Sequence, residues 1–212
     1  MSGLEALNAM GDLGLLLSLA AALTAWLLST RPRAAIALAI AMIACAAATS
    51  FLKIYLHACP MIPLLRGPSG HVSFATLIYG ALAVVIASRS PAWARWPLAV
   101  AGVALIAAVA VARYFLEAHN FAEIAFGVAI GLLSLAIFVL ACRHGATGGR
   151  SVMPLALAAV AIAVVAYGHH LNGELFVNFV GFGGKTAQLS VAATCPAAYG
   201  QRPVGTPAEQ GG

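Results

Sequence analysis

Charge is what this chain has least of. Of its 212 residues only six are acidic and eleven are lysine or arginine, so that charged residues make up 8% of the whole. Soluble domains carry about 25% charged residues to cover their surface, and the shortfall excludes an ordinary water-soluble fold. The formal charge of +5 is spread singly along short connections. No basic patch of the kind that nucleic acid requires is formed. Cysteine is also sparse, with four in all. Cys45 falls within an apolar run and Cys142 at the end of one, whereas Cys59 and Cys195 both lie on what is predicted below to be the outer side, where a disulfide persists. Pairing needs a Cα separation that sequence does not supply, so it stays open here.

Apolar residues fill the space that charge leaves: 62% of the chain is hydrophobic and the mean hydropathy is +0.97. A bilayer core about 30 Å thick takes about 17 to 25 apolar residues per helix. Six runs approach or reach that length: Leu13 to Leu28, Ala34 to Leu52, Val72 to Ala87, Trp96 to Leu116, Phe121 to Ala141 and Val152 to Tyr167. Backbone groups in lipid must be satisfied within the segment, so each run is expected to be a helix. The expected fold class is all-α, a polytopic membrane bundle of about six transmembrane helices over residues 1–168. A segment over 169–199 and a tail over 200–212 follow, the tail rich in Pro, Gly and polar residues and expected to be disordered. The first run is expected to stay as a helix and not to be a signal peptide, because Glu5 and Asp12 precede it and Arg31 and Arg33 follow it.

Arg31 and Arg33, Arg89 and Arg95, and Arg143 and Arg150 mark three alternate connections. The positive-inside rule assigns these to the cytoplasm, which puts the loop from Lys53 to Gly70 and the turn from Arg113 to Asn120 on the opposite side. On that side the unusual residues gather. Ser69, Gly70 and His71 stand where the third run begins, and a helix N-terminus offers unpaired N–H groups and partial positive charge to an anion. Ser69 either donates its hydroxyl there or caps the helix. Arg113 ends the fourth run, and His119 and Glu123 open the fifth. If the fifth helix includes His119, the i to i+4 spacing sets the carboxylate against one ring nitrogen and leaves the other to attack. Lys53 and Arg66 add cations. Cations and N–H donors around equatorial oxygens, an in-line nucleophile and an acid are what phosphoryl transfer uses.

These residues resemble the type 2 phosphatidic acid phosphatase (PAP2) superfamily, whose pattern is K-x6-RP, then PSGH, then SR-x5-H-x3-D. Here PSGH is Pro68, Ser69, Gly70 and His71, and the third motif reads Ala112, Arg113, His119 and Glu123. The resemblance covers about Lys53 to Glu123. The first motif is not recovered beyond Lys53: Met61 stands where its proline would be, and Pro60 follows Cys59. Ala112 lacks the family's hydroxyl, and Glu123 is one methylene longer than Asp.

The resemblance implies an integral membrane phosphatase acting on a lipid phosphate or diphosphate. Undecaprenyl diphosphate, phosphatidic acid, phosphatidylglycerophosphate and a lipid A phosphate are all compatible. It implies His119 as the nucleophile that becomes phosphohistidine, Glu123 as its orienting partner and His71 as the acid. Lys53, Ser69, Gly70 and Arg113 would hold the phosphate, with Arg66 in place of the missing arginine. No metal or other cofactor is implied. The partners are the lipid substrate and the bilayer, and the location is a cell (inner) membrane with the site facing the periplasm or the exterior. The rivals are transfer of the phosphoryl group to another lipid or sugar, a degenerate member that only binds lipid phosphates, and a metal centre built from His71, His119, Glu123 and one of His57, His169 or His170. Against the last, no helical pair of zinc-ligand spacing occurs.

Overall fold

The computed structural model describes residues 3–58, 67–142 and 151–166. Arg66, Cys59, Cys195, His169, His170, the boundary at residue 168, the 169–199 segment and the 200–212 tail lie outside the described residues. Among the described residues every regular element is a helix: α1 (Gly3–Met10), α2 (Leu13–Thr30), α3 (Pro32–Ala58), α4 (Gly70–Arg89), α5 (Ala92–Phe115), α6 (Phe121–Cys142) and α7 (Met153–Ala166). Among the described residues each of the six apolar runs falls on a helix. Five stretches are long and apolar enough to cross a membrane, namely Leu7–Thr30, Pro32–Leu56, Gly70–Arg89, Ala92–Phe115 and Phe121–Cys142, while α7 is equally apolar but shorter. The protein is an all-α polytopic bundle.

Helix α4 is the hub and packs against α2, α3, α5 and α6. Its buried residues run around the full circumference, with Val72, Ala75, Leu77, Ile78, Ala81 and Val85 all in the core, as expected of a helix apolar on every side. The outer helices instead turn apolar stripes outward: Ile36, Ile40 and Ile43 on α3 and Leu157, Val160 and Val164 on α7 are exposed at spacings of three and four. In lipid such stripes carry no penalty, and apolar burial does not drive helix pairing either. Close steric fit has to do it.

The fit between α4 and α6 rests on Gly127 and Gly131, a small-xxx-small pair. A Cβ on Gly127 would sit 2.8 Å from the Ser69 carbonyl oxygen, and one on Gly131 would sit 2.5 Å from Thr76 Cβ and 2.6 Å from the Ser73 carbonyl oxygen. Hydroxyls buried along this seam are satisfied within α4, Ser73 Oγ donating to the Ser69 carbonyl at 2.9 Å and Thr76 Oγ1 to that of Val72 at 2.7 Å.

Helix α1 was not expected from the apolar runs. It leads into a tight elbow capped by Asp12, whose carboxylate accepts from the Gly14 N–H at 2.8 Å and so starts α2. The elbow is pressed onto the bundle: the Tyr79 hydroxyl donates to the Met10 carbonyl, and Gly11 lies so close to α5 that a Cβ would meet Val109 Cγ1 at 2.7 Å.

The ends of the bundle are chemically distinct. Arg31 and Arg89 converge at the C-terminal ends of α2, α4 and α6, with the Arg89 guanidinium 5.1 Å from the Trp26 ring centroid. The other end holds the N-termini of α4 and α6, the C-terminal part of α3 and the turn after α5. Ser69 N–H donates to the Glu123 carbonyl at 3.0 Å and ties this end together.

Candidate active site

The site begins with the entry into α4. Gly67 has φ +138°, a region closed to most side chains, and a Cβ there would lie 2.8 Å from Lys53 Cγ and 3.0 Å from Lys53 Cα. This glycine therefore lets the chain pass directly over α3 beside Lys53. Pro68 and Ser69 follow, both fully buried. The first intrahelical bond of α4 runs from the Ser73 N–H to the Ser69 carbonyl at 3.0 Å, so the N–H groups of Gly70, His71 and Val72 precede the ladder.

Ser69 occupies the N-cap position, yet its side chain makes no capping bond. Its Oγ is buried and has no hydrogen-bond partner. Of the two roles open to it from sequence, the hydroxyl is free for a ligand. Lys53 reaches the same place: its Nζ lies 4.0 Å from the ideal Cβ position of Gly70, with Thr49 Cγ2 at 3.7 Å. Thr49 is one turn before Lys53 and is buried. Its Oγ1 is buried with no hydrogen-bond partner of ordinary geometry, the weakly bonding Cys45 thiol lying close by.

The second half of the site is built by the α5–α6 turn. Helix α5 ends in a Schellman motif: Ala118 N–H donates to the Arg113 carbonyl at 3.2 Å and Glu117 N–H to that of Tyr114 at 3.0 Å, with Glu117 left-handed at φ +53°. His119 N–H shares the Arg113 carbonyl at 3.3 Å, which locks the two motif residues to one another through the backbone. Arg113 and Glu117 do not form the surface ion pair that their spacing would permit, and the Arg113 Nε is buried without a partner.

His119 is not part of α6. The helix starts at Phe121, and the pairing anticipated from helical spacing arises by another route. Asn120 is the N-cap: its Oδ1 accepts from the Glu123 N–H at 3.0 Å while Glu123 Oε2 reaches back to the Asn120 N–H at 3.3 Å, a reciprocal capping box. The same Oε2 lies 2.9 Å from His119 Nδ1. Glu123 is buried, and its hold on Nδ1 leaves Nε2 as the nitrogen available to a substrate.

The charges of Arg113, Lys53 and His119 all act on His71, and those of Arg113 and Glu123 act on Lys53, so the two halves face each other across one small volume. Asp12, on the α1–α2 elbow, acts in turn on Arg113. His71, His119, Glu123, Lys53, Ser69, Gly70 and Arg113 are thus at one end of the bundle. Arg66 lies outside the described residues. Among the described residues no three His, Cys, Asp or Glu gather where they could hold a metal ion.

Three participants were missed from sequence. The N-x-x-E signature of Asn120 and Glu123 was readable as a capping box. Thr49 was marked only by its place one turn before Lys53, and nothing local links Asp12 to Arg113.

No curated protein and no solved structure matches the chain. A family model does: residues 60–147, which contain every site residue named above except Lys53, Thr49 and Asp12, match the PAP2 superfamily, and with its membrane-length apolar helices the chain is a membrane protein carrying a PAP2 domain of phosphatase type.

Proposed function

We propose that the protein hydrolyses a lipid phosphate or diphosphate through a phosphohistidine on His119. One observation carries the reading: the His119–Glu123 pair, 2.9 Å apart, stands at the same end of the bundle as an uncapped helix N-terminus with a free buried hydroxyl and a lysine beside it. That is a nucleophile with its orienter next to an anion site.

His119 Nε2 attacks phosphorus in line, while Glu123 accepts the Nδ1 proton's hydrogen bond and stabilises the cationic ring. The N–H groups at the start of α4, Ser69 Oγ, Lys53 and Arg113 take the three equatorial oxygens, whose charge they balance in the transition state. The P–O bond to the lipid breaks as His71 delivers a proton to the leaving oxygen, releasing the lipid alcohol, or the lipid monophosphate from a diphosphate. His71, now neutral, takes a proton from water as it attacks the phosphohistidine, and inorganic phosphate leaves. Arg66, immediately before Gly67 in sequence, belongs to this proposal as a further phosphate cation.

The arginine-bearing connections assign the opposite end of the bundle to the cytoplasm, so the site opens to the periplasmic or extracellular leaflet, at headgroup depth. The test is phosphate release in detergent micelles from a panel of lipid phosphates and diphosphates, with no metal added. Release by the parent and none by His119→Ala is expected. Release that survives the substitution would exclude the covalent route.

A further inference from the structure

The first membrane-length stretch, Leu7–Thr30, is broken at Gly11 and Asp12, where α1 ends and α2 begins. A carboxylate inside a span is costly and is kept where it has a partner or lines a polar cavity. Capping α2 explains the oxygen of Asp12, which accepts from the Gly14 N–H at 2.8 Å, but asparagine or serine caps as well as aspartate does. The charge is left to explain.

The elbow that carries this charge is fixed to the bundle at two points. Tyr79, buried on α4, donates its hydroxyl to the Met10 carbonyl, and Gly11 approaches α5 so closely that a Cβ would meet Val109 Cγ1 at 2.7 Å. Val109 stands four residues before Arg113, one turn earlier on the same face of α5. Asp12 follows Gly11 directly, so the contact that seats Gly11 on Val109 sets the carboxylate near Arg113, on whose charge it acts. Helix α1 packs along α5 as well and holds the elbow to that helix.

Arg113 is half-buried and makes no direct ion pair with Asp12 or Glu117. A direct pair would occupy the guanidinium fork that a phosphate needs. A carboxylate locked in a helix cap one turn away balances the charge and leaves the fork open.

We propose that Asp12 is a positioning residue for Arg113, held in place by the Tyr79–Met10 and Gly11–Val109 contacts, so that the N-terminal elbow is part of the catalytic apparatus. The inference rests on the reading of Arg113 as a phosphate ligand in the reaction above.

The test separates charge from cap. D12N keeps the cap acceptor and removes only the charge, so the melting temperature in detergent should hold while kcat for phosphate release from a lipid phosphate falls about 10- to 100-fold. KM should stay level or drop, because losing a negative charge beside an anion site does not weaken anion binding. D12S, a different cap without charge, should behave alike. G11A keeps the charge but pushes the elbow off Val109; it should also lower kcat, and G11A/V109A, which vacates the space, should restore much of it. Parental kcat in both D12N and D12S, with the parent still silenced by H119A, would overturn this inference and leave the catalytic reading standing. A lowered KM with unchanged kcat would overturn it too, since that is a charge effect without positioning. No release by the parent itself would overturn the catalytic reading and this inference with it.

Discussion

A single oxygen of Glu123, Oε2, lies 2.9 Å from His119 Nδ1 and accepts the Asn120 N–H at 3.3 Å. The carboxylate that orients the imidazole therefore also starts helix α6. Glu123→Gln keeps the length and one acceptor for the cap but removes the charge that stabilises a cationic ring. Activity on the best lipid phosphate should fall by about 10²- to 10⁴-fold while the melting temperature in detergent changes little. Near-normal turnover in this variant would remove Glu123 from the mechanism.

Asn120→Ala deletes the other arm of the capping box. Loss of an N-cap costs about 0.5 to 2 kcal/mol, and here it also frees the turn that carries His119. Both the melting temperature and kcat should drop, and Asn120→Ser, which retains an acceptor, should recover most of each. Thermal unfolding and phosphate release on the same samples check this.

Ser69 Oγ is buried without a partner, a state that costs stability in the free protein. Ser69→Ala should leave the unliganded protein as stable as the parent or more so. A hydrogen bond to a charged group contributes about 1.5 to 3 kcal/mol, so kcat/KM should fall by about 10- to 100-fold. Opposite movement of the two quantities is what distinguishes a ligand-binding hydroxyl from a structural one.

Gly127→Ala places a methyl 2.8 Å from the Ser69 carbonyl oxygen. Overpacking of this kind costs about 1 to 3 kcal/mol. Because Ser69 N–H also bonds to the Glu123 carbonyl, separating α6 from α4 moves His119 away from the phosphate site. Activity should be lost more steeply than stability, measured as turnover against melting temperature.

The pH profile follows from the roles of the two histidines. The proposed mechanism needs a general base or nucleophile in its unprotonated form and a general acid in its protonated form at the same time, so the rate should be bell-shaped in pH. A flat profile from about pH 4 to 9 would argue against the pair.

Much of this was legible locally. Run lengths alone located the five helices of membrane length and the shorter apolar α7 among the described residues, because a bilayer accepts only long apolar segments with satisfied backbones. Pro68 to His71 announced a helix N-terminus, and R-x5-H-x3-E survives as a unit because its residues are neighbours along one turn. The condition set on the pairing, that the helix include His119, is not met. The capping box of Asn120 and Glu123, not helical periodicity, brings the imidazole and carboxylate together.

The sequence by itself determined that the chain is a membrane helix bundle and which residues are the candidates for its chemistry. Only the tertiary structure decided which helices meet. In a bilayer the faces turned to lipid and to partner helices are equally apolar, so periodicity does not mark the interface. Contact is decided by steric fit: Gly127 against Ser69, Gly67 against Lys53 and Gly11 against Val109. Those close approaches bring Lys53, His71 and His119 to one end of the bundle and set the α1–α2 elbow with Asp12 near Arg113.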